Sequence, residues 1–211
     1  MLSNEVYTSL RQRLLTGELL PGQMINRRDI AEELGTSTAP VLEAMKQLEF
    51  DGYLETIPRR GTLVKTITKE DLIGNYIARI GFECMAVRMS VVSGSLLSRA
   101  DHLRTLAQAE AEYRTAYGPS FEAWTADSEY HIALVEACGN ARLIDEYHRI
   151  ALPNLFYRQH YVMRDQPHTS ADDHIRLTED LLTVSSPDEA EKRIRAHISG
   201  GVLSISELLG D

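Results

Sequence analysis

The chain has 211 residues, 43% of them hydrophobic and 25% charged, the balance of a globular protein that buries a core. No apolar run approaches the ~20 residues that span a bilayer, and Met1-Leu2-Ser3-Asn4-Glu5 lacks the basic flank and apolar core of a signal peptide, so a cytoplasmic location without a membrane partner is expected. The net charge of −9 weighs against nucleic acid, but its distribution does not: residues 1–65 hold eight Lys/Arg against nine Asp/Glu, leaving 14 against 22 for the rest.

Within the near-neutral first part the cations are grouped as Arg11 and Arg13, Arg27 and Arg28, and Arg59 and Arg60. Such groups can make a small basic face for phosphates. Val6, Leu10 and Leu14 recur every four residues, which predicts an amphipathic helix over 4–16 ending near Gly17. Leu20-Pro21-Gly22 reads as a turn. Asn26 is placed to cap a second helix whose Ile30 and Leu34 face the core, and Gly35 suits a left-handed C-terminal position. Ser37 is placed to cap a third helix, with Pro40 in its first turn and Val41, Met45 and Leu48 as its buried stripe. Tyr53–Ile57 and Thr62–Lys65 read as two strands joined by a turn at Pro58-Arg59-Arg60-Gly61.

Helix, helix, tight turn, helix and an arginine-tipped hairpin make a winged helix-turn-helix. Its third helix would enter the major groove of double-stranded DNA, and its hairpin tip would approach the backbone or minor groove. A small domain used for protein contacts is the other reading of the same pattern.

From Thr68 onward no strand is predicted. Helices are expected near 69–93, 97–117, 120–138, 141–164, 168–184 and 187–209, separated by Gly, Pro and Ser breaks. The chain is thus mainly α: an N-terminal winged helix-turn-helix over 1–66 and a C-terminal all-α six-helix bundle over 67–211. Asp127 and His131 lie four residues apart and share one helix face. With His174 and His197 from two other helices they could form a carboxylate-plus-three-histidine cup for a divalent metal. Taken singly, each is more ordinary: an i,i+4 surface pair and two lone histidines. Cys84 and Cys138 have no ligand spacing and read as small buried side chains.

The first 65 residues resemble the GntR family of bacterial transcription regulators. Leu20-Pro21-Gly22 through Arg28-Asp29-Ile30-Ala31-Glu32-Glu33-Leu34-Gly35 is similar to that family's second helix. Pro40-Val41-Leu42-Glu43-Ala44-Met45 and Leu48-Glu49-Phe50-Asp51-Gly52-Tyr53-Leu54 are similar to its third helix and the segment leading into the wing, and Arg60-Gly61-Thr62-Leu63-Val64 to the wing itself. The resemblance implies an operator-binding regulator in which Arg28, Ser37, Thr38, Arg59, Arg60 and Gly61 meet DNA. The third helix departs from the pattern. Where the family usually has Ser-Arg-Thr-Pro-Val-Arg-Glu, this chain reads Ser37-Thr38-Ala39-Pro40-Val41-Leu42-Glu43, so two arginines are replaced.

The second part resembles the FCD ligand-binding domain, in its shorter, VanR-like six-helix variant. That resemblance implies that Asp127, His131, His174 and His197 hold zinc, nickel or manganese. It also implies that Arg79, in the pattern Arg79-Ile80-Gly81-Phe82-Glu83, binds the carboxylate of a small organic-acid effector. A salt bridge from Arg79 to Glu83 is the plainer reading. A homodimer is expected, because a two-fold protein matches a palindromic operator. A regulator rather than an enzyme is therefore expected. The open alternatives are a metal-dependent enzyme, a metal sensor, and an interaction module whose DNA binding has changed.

Overall fold

The computed structural model describes residues 2–118, 120–161 and 173–208. Two compact units emerge, the first carried by the residues up to Thr68 together with Phe156–Tyr161, and the second by Lys69–Leu155 and the described residues from Asp173 on.

The first unit runs α1 (Ser3–Leu15), β1 (Met24–Ile25), α2 (Arg27–Glu33), α3 (Thr38–Phe50), β2 (Leu54–Ile57) and β3 (Gly61–Val64). Its core forms where the four-residue spacing puts it. Val6, Leu10 and Leu14 of α1 and Val41, Ala44 and Leu48 of α3 are almost fully buried, and α1 packs on α3. Asn26 caps α2, its Oδ1 accepting from the Arg28 N–H at 3.0 Å. Gly35 follows α2 with a φ of +62°, which lets the chain reverse before α3. Ser37 stands at the N-cap of α3 with extended backbone, but its side chain makes no capping bond, so the expected cap is positional only.

The wing strands lie one residue from their predicted bounds and pair antiparallel, Glu55 opposite Leu63 and Thr56 opposite Thr62. The structure adds a third strand that the sequence does not predict. Met24–Ile25 pairs antiparallel with β3, giving the order β1-β3-β2. Two residues beside a Pro-Gly turn are too few to show alternation.

The second unit comprises α4 (Lys69–Ser93), α5 (Ser95–Ser98), α6 (Ala100–Tyr117), α7 (Phe121–Glu136), α8 (Ala141–Tyr161) as far as Leu155, α9 (Asp173–Thr183) and α10 (Pro187–Leu208). The predicted helix over 97–117 is split: α5 is a separate single turn that follows Gly94 at φ +74°. The first residues of the predicted helix over 168–184 lie outside the described residues. α7 is buried around most of its circumference, at Ala123, Trp124, Ala126, Asp127, Tyr130, His131, Ala133 and Leu134, so it is the central helix. It packs on α4 and α6; α9 lies on α6 and α10 on α4. Ala86, Val135, Tyr147 and Ala151 form a core cluster joining α4, α7 and α8.

Ion pairs at the rim hold the last two helices in register. Arg104 of α6 pairs with Glu179 of α9, Arg193 of α10 with Asp180 of α9, and Arg88 of α4 with Asp188 and Glu191 of α10. Each is open to solvent and screened, so its contribution to stability is small. Their value is placement, since α9 carries His174 and α10 carries His197. Cys84 is buried as expected, whereas Cys138 is only half-buried at the end of α7. Among the described residues no helix is long and apolar enough to cross a membrane.

Candidate functional site

In the second unit Asp127 and His131 project from one face of α7, His174 from α9 and His197 from α10. Asp127, His131 and His174 are buried. One nitrogen from each of His131, His174 and His197 lies within 4.8 Å of the others, and Glu110, Asp127 and His174 form an overlapping group. His131 Nε2 and His174 Nε2 stand 3.1 Å apart, and Asp127 Oδ1 is 3.7 Å from His174 Nε2. The His197 ring centroid is 5.3 Å from that of His131 and 4.8 Å from that of His174. The four residues singled out from the sequence therefore do converge.

The other ring nitrogens of two of these histidines face carboxylates. His131 Nδ1 is 2.6 Å from Glu83 Oε2. His174 Nδ1 is 3.2 Å from Glu110 Oε2, close enough to pair but off the line of a hydrogen bond. Neither glutamate was singled out as a site residue. Glu83 Oε1 also accepts from Arg79 Nε at 2.8 Å and from the Tyr147 hydroxyl at 2.7 Å. Burial alone would raise the Glu83 carboxyl, but the charge of Arg79, with the His131 hydrogen bond beside it, outweighs burial and holds it below the usual carboxylate range. Arg79 is buried and held charged by Glu83, with its guanidinium carbon 5.5 Å from the Tyr76 ring centroid. The plainer reading of Arg79 is thus realised, and it also places a cation behind His131. On the other side Arg114 brackets Glu110 Oε1 with two guanidinium nitrogens.

Burial pushes the His131 imidazole below its ordinary pKa, with Glu83 opposing in part. Burial and the other two imidazoles push His197 well below. Both are therefore neutral at pH 7, the state in which imidazole ligates a metal. The donor set fits a divalent ion. Two imidazole nitrogens at about 2.0–2.1 Å from one ion, at angles between tetrahedral and octahedral, lie about 2.8–3.4 Å apart. With both Nδ1 atoms turned to carboxylates, two Nε2 lone pairs would otherwise face each other, and a cation or a proton must stand between them. His102 is exposed, and His148 pairs with Glu136 at 3.3 Å, so neither belongs to the cup.

In the first unit a cleft of about 620 Å³ opens between α3 and the wing. Arg27 and Arg28 line it from α2, Lys46 and Glu49 from α3, and Arg60 and Gly61 from the wing. Glu49 Oε1 accepts from the Thr56 N–H at 2.8 Å and so ties α3 to β2. Leu42 also lines the cleft, and Thr38 is exposed at the start of α3. Of the residues expected at DNA, Arg28, Ser37, Thr38, Arg59, Arg60 and Gly61 are all exposed. Arg59 holds a φ of 65°, the only left-handed non-glycine among the described residues. Gly61 holds a φ of +114°, a backbone conformation that L side chains rarely adopt, so glycine suits the end of the wing turn. Arg27 is marked in the sequence only by its pairing with Arg28, and nothing in the local sequence marks Lys46; folding brings both to the same cleft.

The model of bacterial regulatory proteins of the gntR family matches residues 2–64, and that of the FCD domain matches residues 76–200. The uncharacterized HTH-type transcriptional regulator YdhC of Bacillus subtilis is 33% identical over 87 residues, which is 41% of this chain and 39% of that protein. A probable D-xylose utilization operon transcriptional repressor of Paenarthrobacter nicotinovorans is 26% identical over 199 residues, covering 94% of this chain and 86% of that one. The crystal structure of a putative transcriptional regulator GntR from Rhodococcus sp. RHA1 superposes with a TM-score of 0.78 at 22% identity, covering 96% of each chain. At that identity the likeness concerns the fold.

Proposed function

The chain belongs to the GntR family of bacterial regulatory proteins and carries the FCD domain, and on that premise we propose that a small organic acid, bound at a divalent metal in the helical unit, tunes its affinity for an operator. That the protein is a transcriptional regulator of this type follows from the family itself. The ion, the acid and their coupling to DNA are our reading.

The observation that carries it is the 3.1 Å approach of His131 Nε2 to His174 Nε2, with carboxylates behind both rings. A bound divalent ion supplies a positive centre with positions left for ligand oxygens. Asp127, His131, His174 and His197 would hold it. The charges around the cup are then informative. Arg79 and Arg114 stand against Glu83, Glu110 and Asp127, a net of −1 when all five are ionised. A divalent ion turns that to +1, which favours an anionic ligand. Arg79 supplies the organic cation on that side and would pair with the acid's second oxygen.

In the head, Arg27, Arg28, Lys46, Arg59 and Arg60 supply phosphate-binding charge. Thr38, at the exposed start of α3, is left to read bases where the family commonly uses arginine, with Ser37 and Gly61 beside the backbone. Two heads on a homodimer would address two half-sites, and an acid that prefers one dimer geometry would change their spacing.

Calorimetry with di- and tricarboxylates, run on metal-loaded and chelator-stripped protein, tests the site. One acid should bind with metal present and lose most of its affinity without it. Equal binding to both forms would refute the metal-bound acid.

A further inference from the structure

We propose that Glu83 and Glu110 are positioning residues of the metal cup. In this role each carboxylate fixes one histidine as the Nδ1–H tautomer, so that both Nε2 lone pairs converge. The inference rests on the metal reading above and adds to it two residues and a division of labour.

The two arrangements are parallel in chemistry though they come from different helices. Glu83 sits on α4 behind His131 of α7, and Glu110 sits on α6 behind His174 of α9. Both carboxylates are essentially fully buried. Each has one oxygen toward an imidazole and the other held by an arginine one helical turn away on the same helix, Arg79 or Arg114. The arginine pairs with the carboxylate's far oxygen, and the near oxygen, turned to Nδ1, offers an acceptor for a proton there. A neutral imidazole has one donor and one acceptor nitrogen. Fixing the donor at Nδ1 therefore leaves Nε2 as the ligand. Without that bias each ring has two tautomers, and only one of the four combinations presents both Nε2 atoms to an ion.

The two supports differ in rigidity. Glu83 is also held by the Tyr147 hydroxyl at 2.7 Å and aligns well with His131. Glu110 is off the hydrogen-bond line to His174 Nδ1, which has no hydrogen-bond partner among the described residues. The His174 backbone carbonyl accepts from Thr178 Oγ1 at 2.7 Å, and Thr178 meets the Tyr130 hydroxyl at 2.9 Å. These contacts steady α9 but leave the Nδ1 edge of the ring to Glu110.

Zinc affinity of the full chain, measured by competition with a chromogenic chelator, tests this together with nitrogen-15 spectra of the zinc-loaded protein. Wild type, Glu83→Gln, Glu110→Gln, Glu110→Asp and His174→Ala are compared. Each Glu→Gln should weaken zinc by about 10- to 100-fold, and His174→Ala by more. Glu110→Asp should recover part of the loss. Wild-type spectra should show His131 and His174 protonated at Nδ1 and coordinated through Nε2. Glu83→Gln strands the buried Arg79 and can fail to fold; Glu110→Gln leaves a partly exposed arginine and carries the test alone. Unchanged zinc affinity in Glu110→Gln, or coordination through Nδ1 in wild type, overturns the positioning role. Loss of one oxygen donor from the zinc shell in Glu110→Gln, seen by X-ray absorption, makes Glu110 a ligand and also overturns it. If wild type takes up no zinc, nickel or manganese, the metal reading itself fails and the positioning role falls with it.

Discussion

His131 and His174 meet through their Nε2 atoms at 3.1 Å while the far nitrogen of each ring faces a buried glutamate. Two rings so oriented have little reason to approach unless a cation or a proton lies between them. On the proposed reading a divalent ion takes that place, and the predictions below test it against a proton shared by two core histidines.

The first prediction concerns the ion. Purified protein should carry about one divalent ion per chain. His174→Ala should lose most of it with the bundle still folded, whereas His102→Ala, on an exposed position of α6, should retain it. Elemental analysis alongside circular dichroism checks this. Metal contents well below one per chain, not restored by dialysis against zinc, nickel or manganese, would contradict it.

A second prediction concerns the wing. Arg59 and Arg60 are exposed at its tip. Replacing both by alanine should weaken binding to matched and mismatched DNA alike, and should flatten its salt dependence. Arg59→Gly separates charge from backbone. It removes one cation but relieves a left-handed φ of 65°. It should therefore lower DNA affinity while raising folding stability by about 1 kcal/mol. Equal stability of Arg59→Gly and Arg59→Ala would show that the turn is not strained there.

Much of the fold is legible in the chain itself. Val6, Leu10 and Leu14 announce α1, and Pro58 to Gly61 announce the wing turn, because apolar spacing and turn chemistry are local signals. Asp127 and His131 are readable as a pair for the same reason. Glu83 and Glu110 are not. Each has an arginine at i−4 or i+4, so each looks like an ordinary surface helix pair. Their clue is phase. Glu110 falls on the same stripe as Leu103, Ala107 and Ala111, and Glu83 falls beside Cys84, Ala86 and Val87. A charge on the buried phase of a helix needs a partner on another helix, and that partner is a matter of tertiary structure. β1 and α5 escape a sequence reading because two and four residues carry no period.

The third prediction uses the cysteines. Cys84 is buried, and burial pushes its thiol up to about 11. A thiol at that pKa is about one part in a thousand thiolate at pH 8, so it is both shielded and unreactive. Cys138 is half-buried, and its Sγ accepts from the Asn140 N–H at 3.4 Å. Ellman's reagent at pH 8 should therefore titrate one thiol quickly, lost in Cys138→Ser, and the second only on unfolding. Two fast equivalents would mean that α4 and α10 open readily around Cys84.

The most direct measurement joins head and body. DNA fragments from the source genome are selected with metal-loaded protein, and the anisotropy of a selected fragment is followed as an acid shown to bind by calorimetry is added. The acid should change operator affinity by about 5- to 150-fold in metal-loaded wild type. The change should be largely lost after chelation and in Arg79→Ala. An acid that binds the protein yet leaves operator affinity unmoved, or a shift of equal size in chelated protein, would contradict regulation through the metal cup.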